Sequence, residues 1–387
     1  MGLVGADRRV YPKSEHLKGK HLAVIYSLLK MQKYQFFDQT FELHSDHVDT
    51  LTVMDALFWG FAVTDIENDD EILRYEVLTK MGSSAGIVTK ECCYLVEQPT
   101  RLPSLAPGII LHNTLMQICS HLLFHAAALS YRDKGIILAA DSGCGKTTLT
   151  LALVRQGFKF LSDEVAALAL KSGELVPYPR SLLVRAGTFQ VFQQWGWEWP
   201  SHQVALKGED RAVIHLSSTL LGESCQPHRL VILQRPDQAN ERICEVTLDS
   251  LPERLWTELA ALGIQAYSKN KKGFPVLRAK EILMNQIHEV CERQGILVLD
   301  VAEQAVAPSY YEKTPQLHEI SKLTAAITLL QYFLGNSRSA LIQKYFQGSV
   351  VGLIEPLVNI LKSVKCYQLT PGRLDQTVEI IHALCES

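Results

Sequence analysis

Residues 135–168 read GIILAADSGCGKTTLTLALVRQGFKFLSDEVAAL, and this stretch decides the fold class. Gly135–Ala140 is an uninterrupted apolar run, the pattern of a strand buried on both faces. DSGCGKTT (141–148) follows. LTLALVRQG then predicts a helix closed by Gly157, and FKFLS (158–162) predicts a second strand. A glycine-rich loop ending in Gly-Lys-Thr between a strand and a helix is a phosphate cradle. Gly143 and Gly145 let successive backbone N–H groups point inward, and the helix start adds the positive end of its dipole. Asp141, Ser142, Gly143, Cys144, Gly145, Lys146, Thr147 and Thr148 are therefore the expected nucleotide-binding residues. Lys146 would reach the outer phosphates and Thr147 would ligate Mg²⁺. Ala140 stands where such loops usually carry their first glycine.

The strand that follows ends in Ser162-Asp163-Glu164. Adjacent acids at a strand end, one helix away from the lysine, suit a magnesium ligand beside a group that takes the acceptor's proton. The competing reading is that Ser162 and Asp163 cap a helix.

Outward from this core, strands alternate with helices over the rest of the chain: LVIL (230–233), ILVLD (296–300), the helical ISKLTAAITLLQYFLG and GLIEPLVNILKSV, then CYQLTPGRLDQTVEIIHAL as strand, turn and helix. This is an α/β pattern. Upstream, an amphipathic helix is expected over about 109–124, after QPTRLPSLAPG (98–108), whose three prolines and glycine mark a boundary. Before it, LAVIYSLL, YQFFDQTFEL, ILRYEVLT and GIVTKECCYLV read as strands, with a helix near 51–61. The expected layout is a smaller β-rich N-terminal domain, 1–105, and a catalytic domain, 106–387.

The 387 residues carry 38 Lys+Arg against 41 Asp+Glu, a net charge of −3. That balance argues against a dedicated nucleic-acid or membrane-surface binder. Nine scattered cysteines without a CxxC pair favour neither a disulfide framework nor structural zinc. No signal peptide or spanning segment is legible, so a cytoplasmic location is expected.

The stretch from Phe124 to Leu168 resembles the nucleotide-binding core of the HPr kinase/phosphorylase superfamily, and more closely the HPr-kinase-related proteins found beside peptide natural-product genes. The shared residues are His125, Asp141 to Thr147, Gly157, and Asp163 with Glu164; VPYPRSLLVRAG (176–187) extends the likeness. The resemblance implies a kinase fold related to phosphoenolpyruvate carboxykinase, using ATP and Mg²⁺ to phosphorylate a serine of a peptide or small protein. It implies a catalytic set of Glu164 as base, Asp163 on the metal with Thr147, Lys146 on the phosphoryl group, and His125 near the phosphates. TPGRLDQTVEII (370–381) is similar to the family's Pro-Gly-Arg loop, which makes Arg373 a candidate phosphate contact. The chain departs from the family in its Asp-Glu pair, where HPr kinase has two aspartates, and in Thr147-Thr148, where Ser-Glu is common. It also lacks the glycine-rich signature for HPr contact, so HPr is not the expected substrate.

Arg180 and Arg185, downstream of the acids, are further candidate phosphate contacts, each indistinguishable in sequence from a surface charge. His121 and His125 share a helical spacing without a third metal ligand; a satisfied buried histidine is the competing role for His125. Trp195, Trp197 and Trp199 alternate, as a peptide clamp or core packing would require. Cys144 sits at a helix start, which favours a reactive thiolate. A P-loop ATPase or nucleotide switch, and a non-catalytic nucleotide-binding module, remain alternatives to the kinase. Oligomeric state is not legible, and a homo-oligomer is compatible with the sequence.

Overall fold

The computed structural model describes residues 29–64, 72–81, 84–90, 92–141, 144–194, 196, 203–205, 211–234, 243–264, 267–270, 273–280, 283–303 and 313–386. The expected strand at 22–29 lies almost wholly outside these, as do Ser142, Gly143, Trp195, Trp197 and Trp199. The chain divides into two compact units, 1–58 with 62–114 and 238–304, and 59–61 with 115–237 and 305–387. The expected boundary near residue 105 therefore gives way to a discontinuous one: residues 238–304, expected in the catalytic domain, belong to the first unit.

In the first unit, β1 (Lys30–Phe36), β2 (Gln39–Ser45), β3 (Leu73–Met81), β4 (Ser84–Val88) and β5 (Cys93–Val96) form one sheet in that order. The hairpin β1–β2 turns at Phe37, whose φ of 56° a non-glycine residue adopts only in tight turns. Helix α1 (Val48–Phe58) follows β2, as expected. Tyr34, Phe36, Phe41 and Phe58 pack ring against ring in stacked, edge-to-face and tilted pairs.

Helix α2 spans Leu102–Gln117, earlier than the 109–124 of the sequence reading. Pro103 is tolerated in the first turn, where its missing N–H has no intrahelical acceptor, whereas Pro107 lies inside the helix and forgoes a backbone hydrogen bond there; the proline-rich segment is thus helix instead of linker. His121 then opens strand β6 (His121–Phe124), which removes the helical spacing between His121 and His125.

The second unit is built on a six-stranded sheet containing β7 (Ala126–Tyr131), β8 (Lys134–Ala140), and beyond helix α3 (Lys146–Arg155) the strand β9 (Lys159–Ser162). Strand β10 (Ala166–Ala169) leaves this sheet to pair with β6 and β11 (Leu175–Val176). Next come β12 (Leu182–Arg185), helix α4 (Ala186–Gln194), β13 (Gln203–Ala205), β14 (Arg211–Ile214) and β15 (Gln226–Leu233). Strand β8 runs parallel to β15 and antiparallel to β7, so it lies inside the sheet.

Its continuous apolar run follows from that position. Ile136, Leu138 and Ala140 join one cluster with Leu149 and Leu153 of α3, while Ile137 and Ala139 join another on the opposite face. Truncating Leu138 to Ala should cost about 2–5 kcal/mol.

The segment that rejoins the first unit contains β16 (Ile243–Leu248), helix α5 (Glu253–Ala261), β17 (Tyr267–Lys269), β18 (Pro275–Lys280), helix α6 (Met284–Arg293) and β19 (Val298–Glu303). Arg101 ties it to the N-terminal part: NH1 donates to the Asp249 carbonyl at 2.8 Å and the guanidinium covers the Phe274 ring at 4.2 Å. The chain then completes the second unit with β20 (Gln316–Glu319), α7 (Lys322–Leu330), α8 (Ala340–Phe346), α9 (Ile354–Ile360), β21 (Lys365–Thr370) and α10 (Leu374–Glu386). Pro356 falls in the first turn of α9, after a 3-10 segment, so it restarts the helix as its missing N–H requires. The sheet order is β20-β21-β15-β8-β7-β9. None of the nine cysteines forms a disulfide. Among the described residues no helix is long and apolar enough to cross a membrane.

Candidate functional site

Strands β8 and β9 deliver the loop and the acids. After Ala140 the chain turns at Asp141, whose carbonyl is the acceptor for Cys144 N–H at 3.4 Å. Gly145 is the N-cap of α3 with φ 77°, a left-handed conformation that costs glycine little and a side-chain residue more. It turns the chain so that Lys146 and Thr147 begin the helix. Lys146 is only 8% exposed and lies within the field of Glu164 and Asp163. Burial lowers its pKa, and those two carboxylates act in the opposite direction.

The acids follow β9 directly. Ser162 does not cap a helix: its Oγ accepts from the N–H groups of Glu164 and Val165 at 3.2 and 2.9 Å, and β10 begins at Ala166. The hydroxyl thus folds a turn that sets Asp163 and Glu164 side by side. Asp163 is 3% exposed; its Oδ2 accepts from Thr147 Oγ1 at 3.2 Å. Its Oδ1 is buried and has no hydrogen-bond partner among the described residues. Burial, then the neighbouring Glu164, raises the Asp163 pKa. For Glu164 burial acts upward, but Arg180, His125 and Lys146 outweigh it and hold the carboxyl low.

Phe124 of β6 pairs with Ala166 of β10, and that register brings His125 alongside the acids. Lys146 Nζ lies 3.1 Å from His125 Nε2. Burial and the Lys146 charge depress the imidazole pKa to about 3. The ring is therefore neutral near pH 7, with Nε2 accepting from the ammonium. Arg180, 6% exposed, places NH1 3.3 Å from Glu164 Oε2.

Six expected residues, His125, Lys146, Thr147, Asp163, Glu164 and Arg180, thus form one cluster. Others do not join it. Thr148 Oγ1 lies 3.0 Å from Thr188 Oγ1. Arg185 ends β12 exposed, opposite Arg211 in register. Arg373 is exposed and pairs with Asp375 through Nε at 3.3 Å and NH2 at 3.0 Å. The glycine before it is required by close approach, since a Cβ on Gly372 would collide with the Lys313 carbonyl. Cys144 is buried in the apolar cluster beside Leu149, which shields the thiol that its helix-start position suggested would react.

Tyr332 was missed in sequence. Its carbonyl accepts from His125 N–H at 2.7 Å and its hydroxyl donates to Asp141 Oδ1 at 3.2 Å. Two positions beyond α7, Tyr332 therefore fastens two edges of the site, and no motif in its surroundings signals that.

No protein-family model matches the chain. No curated protein matches it either. Among solved structures, the Hpr(Ser) kinase/phosphatase from Coxiella burnetii is similar at 16% identity, over 44% of this chain and 95% of that one, with a TM-score of 0.20. At that score the superposition carries no argument, and the chemistry rests on the cluster itself.

No group of three or more His, Cys, Asp or Glu side chains forms a metal cage among the described residues. Magnesium needs none, because it keeps waters and phosphate oxygens and takes one or two protein oxygens. Thr147 Oγ1 and the unpartnered, buried Asp163 Oδ1 are hard oxygen donors of that kind.

Proposed function

We propose that the chain is an ATP-dependent kinase that transfers the γ-phosphoryl group to a serine hydroxyl of a peptide or small protein. The observation that carries this reading is the convergence of Lys146, Thr147, Asp163 and Glu164 where β8 and β9 end. Thr147 and Asp163 are the residues to hold Mg²⁺, which supplies neutralisation of phosphate charge when bound. Lys146 stabilises the phosphoryl group in transfer, and neutral His125 orients its ammonium by accepting from it. Glu164 takes the serine proton as the serine Oγ–P bond forms. The bond from phosphorus to the β-phosphate oxygen breaks, and its electron pair leaves with ADP. Substrate recognition is assigned to the first unit, which contains none of these residues.

Incubation of the full chain with γ-labelled ATP, Mg²⁺ and serine-containing peptides tests the proposal. Label on the peptide is the expected result. Label released only as inorganic phosphate would favour the ATPase or switch, and nucleotide binding without turnover would favour the non-catalytic module.

A further inference from the structure

Arg180 is an unusual counter-ion. A guanidinium carries five N–H donors and is rarely buried unless they are satisfied. This one is 6% exposed, and its ion pair to Glu164 Oε2 spans 3.3 Å. Yet Glu164 Oε2 has no hydrogen bond, and Arg180 Nε is likewise buried without a partner among the described residues. The contact is charge against charge without the fork geometry that makes an arginine–carboxylate pair strong. Leaving that donor unpaired costs free energy that a better-fitting acceptor would recover.

An anion with several oxygens would supply the acceptor that Arg180 Nε lacks. Arg180 acts on Asp163 as well as on Glu164, so its charge lies at the two acids where the phosphoryl group would be transferred. Phosphate oxygens match the guanidinium fork, whereas the single oxygen of Glu164 does not. Resting on the kinase reading, we propose that Arg180 exchanges partners. In the free chain it pairs with Glu164; with nucleoside triphosphate bound it grips the γ-phosphate, which releases Glu164 to face the acceptor hydroxyl. Arg180 would then contact the group transferred while also holding the acid out of play until that group arrives.

Calorimetry of the full chain with Mg²⁺–ADP and with Mg²⁺–AMP-PNP separates this from a structural ion pair. Arg180→Ala should leave the ADP dissociation constant within about twofold and weaken AMP-PNP about tenfold or more, the worth of one charge-assisted contact. Because that variant strands Glu164, the double variant Arg180→Ala with Glu164→Gln is the control for folding, and it should show the same selective loss. Glu164→Gln alone should hold or tighten AMP-PNP, since it frees the guanidinium. Equal losses for both nucleotides, or an unchanged AMP-PNP constant in the double variant, would overturn the exchange and leave Arg180 a counter-ion. If the unaltered chain bound neither nucleotide, the kinase reading itself would fall, and the exchange with it.

Discussion

Glu42 in the first unit and Glu164 in the second are both glutamates enclosed by basic side chains, and they are solved differently. Glu42 is 6% exposed and is held by Lys33 Nζ at 2.9 Å, His44 Nε2 at 3.2 Å and Arg74 Nε at 3.5 Å. Burial acts to raise its pKa, but hydrogen bonds from Lys33 and His44 prevail and lower it. Around Glu164 basic side chains are as numerous, with His125 neutral among them, yet Asp163 Oδ1 and Arg180 Nε are left over. Polar groups in a structural network pair off; polar groups in a site keep hands free for a ligand.

Replacing each residue should separate the two regions. The largest effect is expected for Lys146→Ala, which should reduce turnover by about 10³-fold and weaken nucleotide binding in a calorimetric titration. Glu164→Gln should lower phosphoryl transfer by about 10²-fold while sparing ADP affinity, read from labelled-peptide assays. Near-native transfer would remove Glu164 as the base.

His125 should be visible in stability. Its folded pKa is about 3 against an ordinary 6.5, so between those values the unfolded chain binds a proton that the folded chain refuses. Stability should therefore fall as pH drops through that window, by up to about 1.4 kcal/mol per pH unit from this residue. His125→Gln should flatten that slope in urea unfolding followed across a pH series.

Glu42→Gln should cost about 1–2 kcal/mol of stability and leave transfer unchanged. Its contribution is present above the ordinary glutamate value of 4.5 and is lost as pH falls through the lower folded value. A loss of transfer in this variant would break the distinction between the regions. Arg373→Ala, which removes an exposed pair, should change melting temperature and turnover least of all.

What the sequence made legible was local chemistry. DSGCGKTT and SDE each announce themselves because strand, loop and helix signals coincide within a few residues. Arg180 was visible as a cation but not as a buried one, because burial is decided by packing that sequence spacing does not encode. Tyr332 was invisible, because its link to Asp141 spans 191 positions. The misplacement of α2 has a similar source: Leu122–Phe124 and Ala126–Leu129 are apolar runs broken only by His125, so periodicity alone did not separate the helix end from β6. The discontinuous first unit could not be read from a proline-rich boundary, since its later segment carries no motif.

That discontinuity sets a timetable for biosynthesis. Arg101 meets Asp249 only after the ribosome has added nearly 150 further residues and Phe274 later still, and β15 must wait for β21 near the end of the chain. At bacterial or eukaryotic elongation speeds the nascent chain therefore spends roughly tens of seconds with the second unit's sheet unfinished and Arg101 without its partners. A gene truncated after residue 105 would express the whole β1–β5 sheet yet leave Arg101 without the carbonyl and the ring it binds.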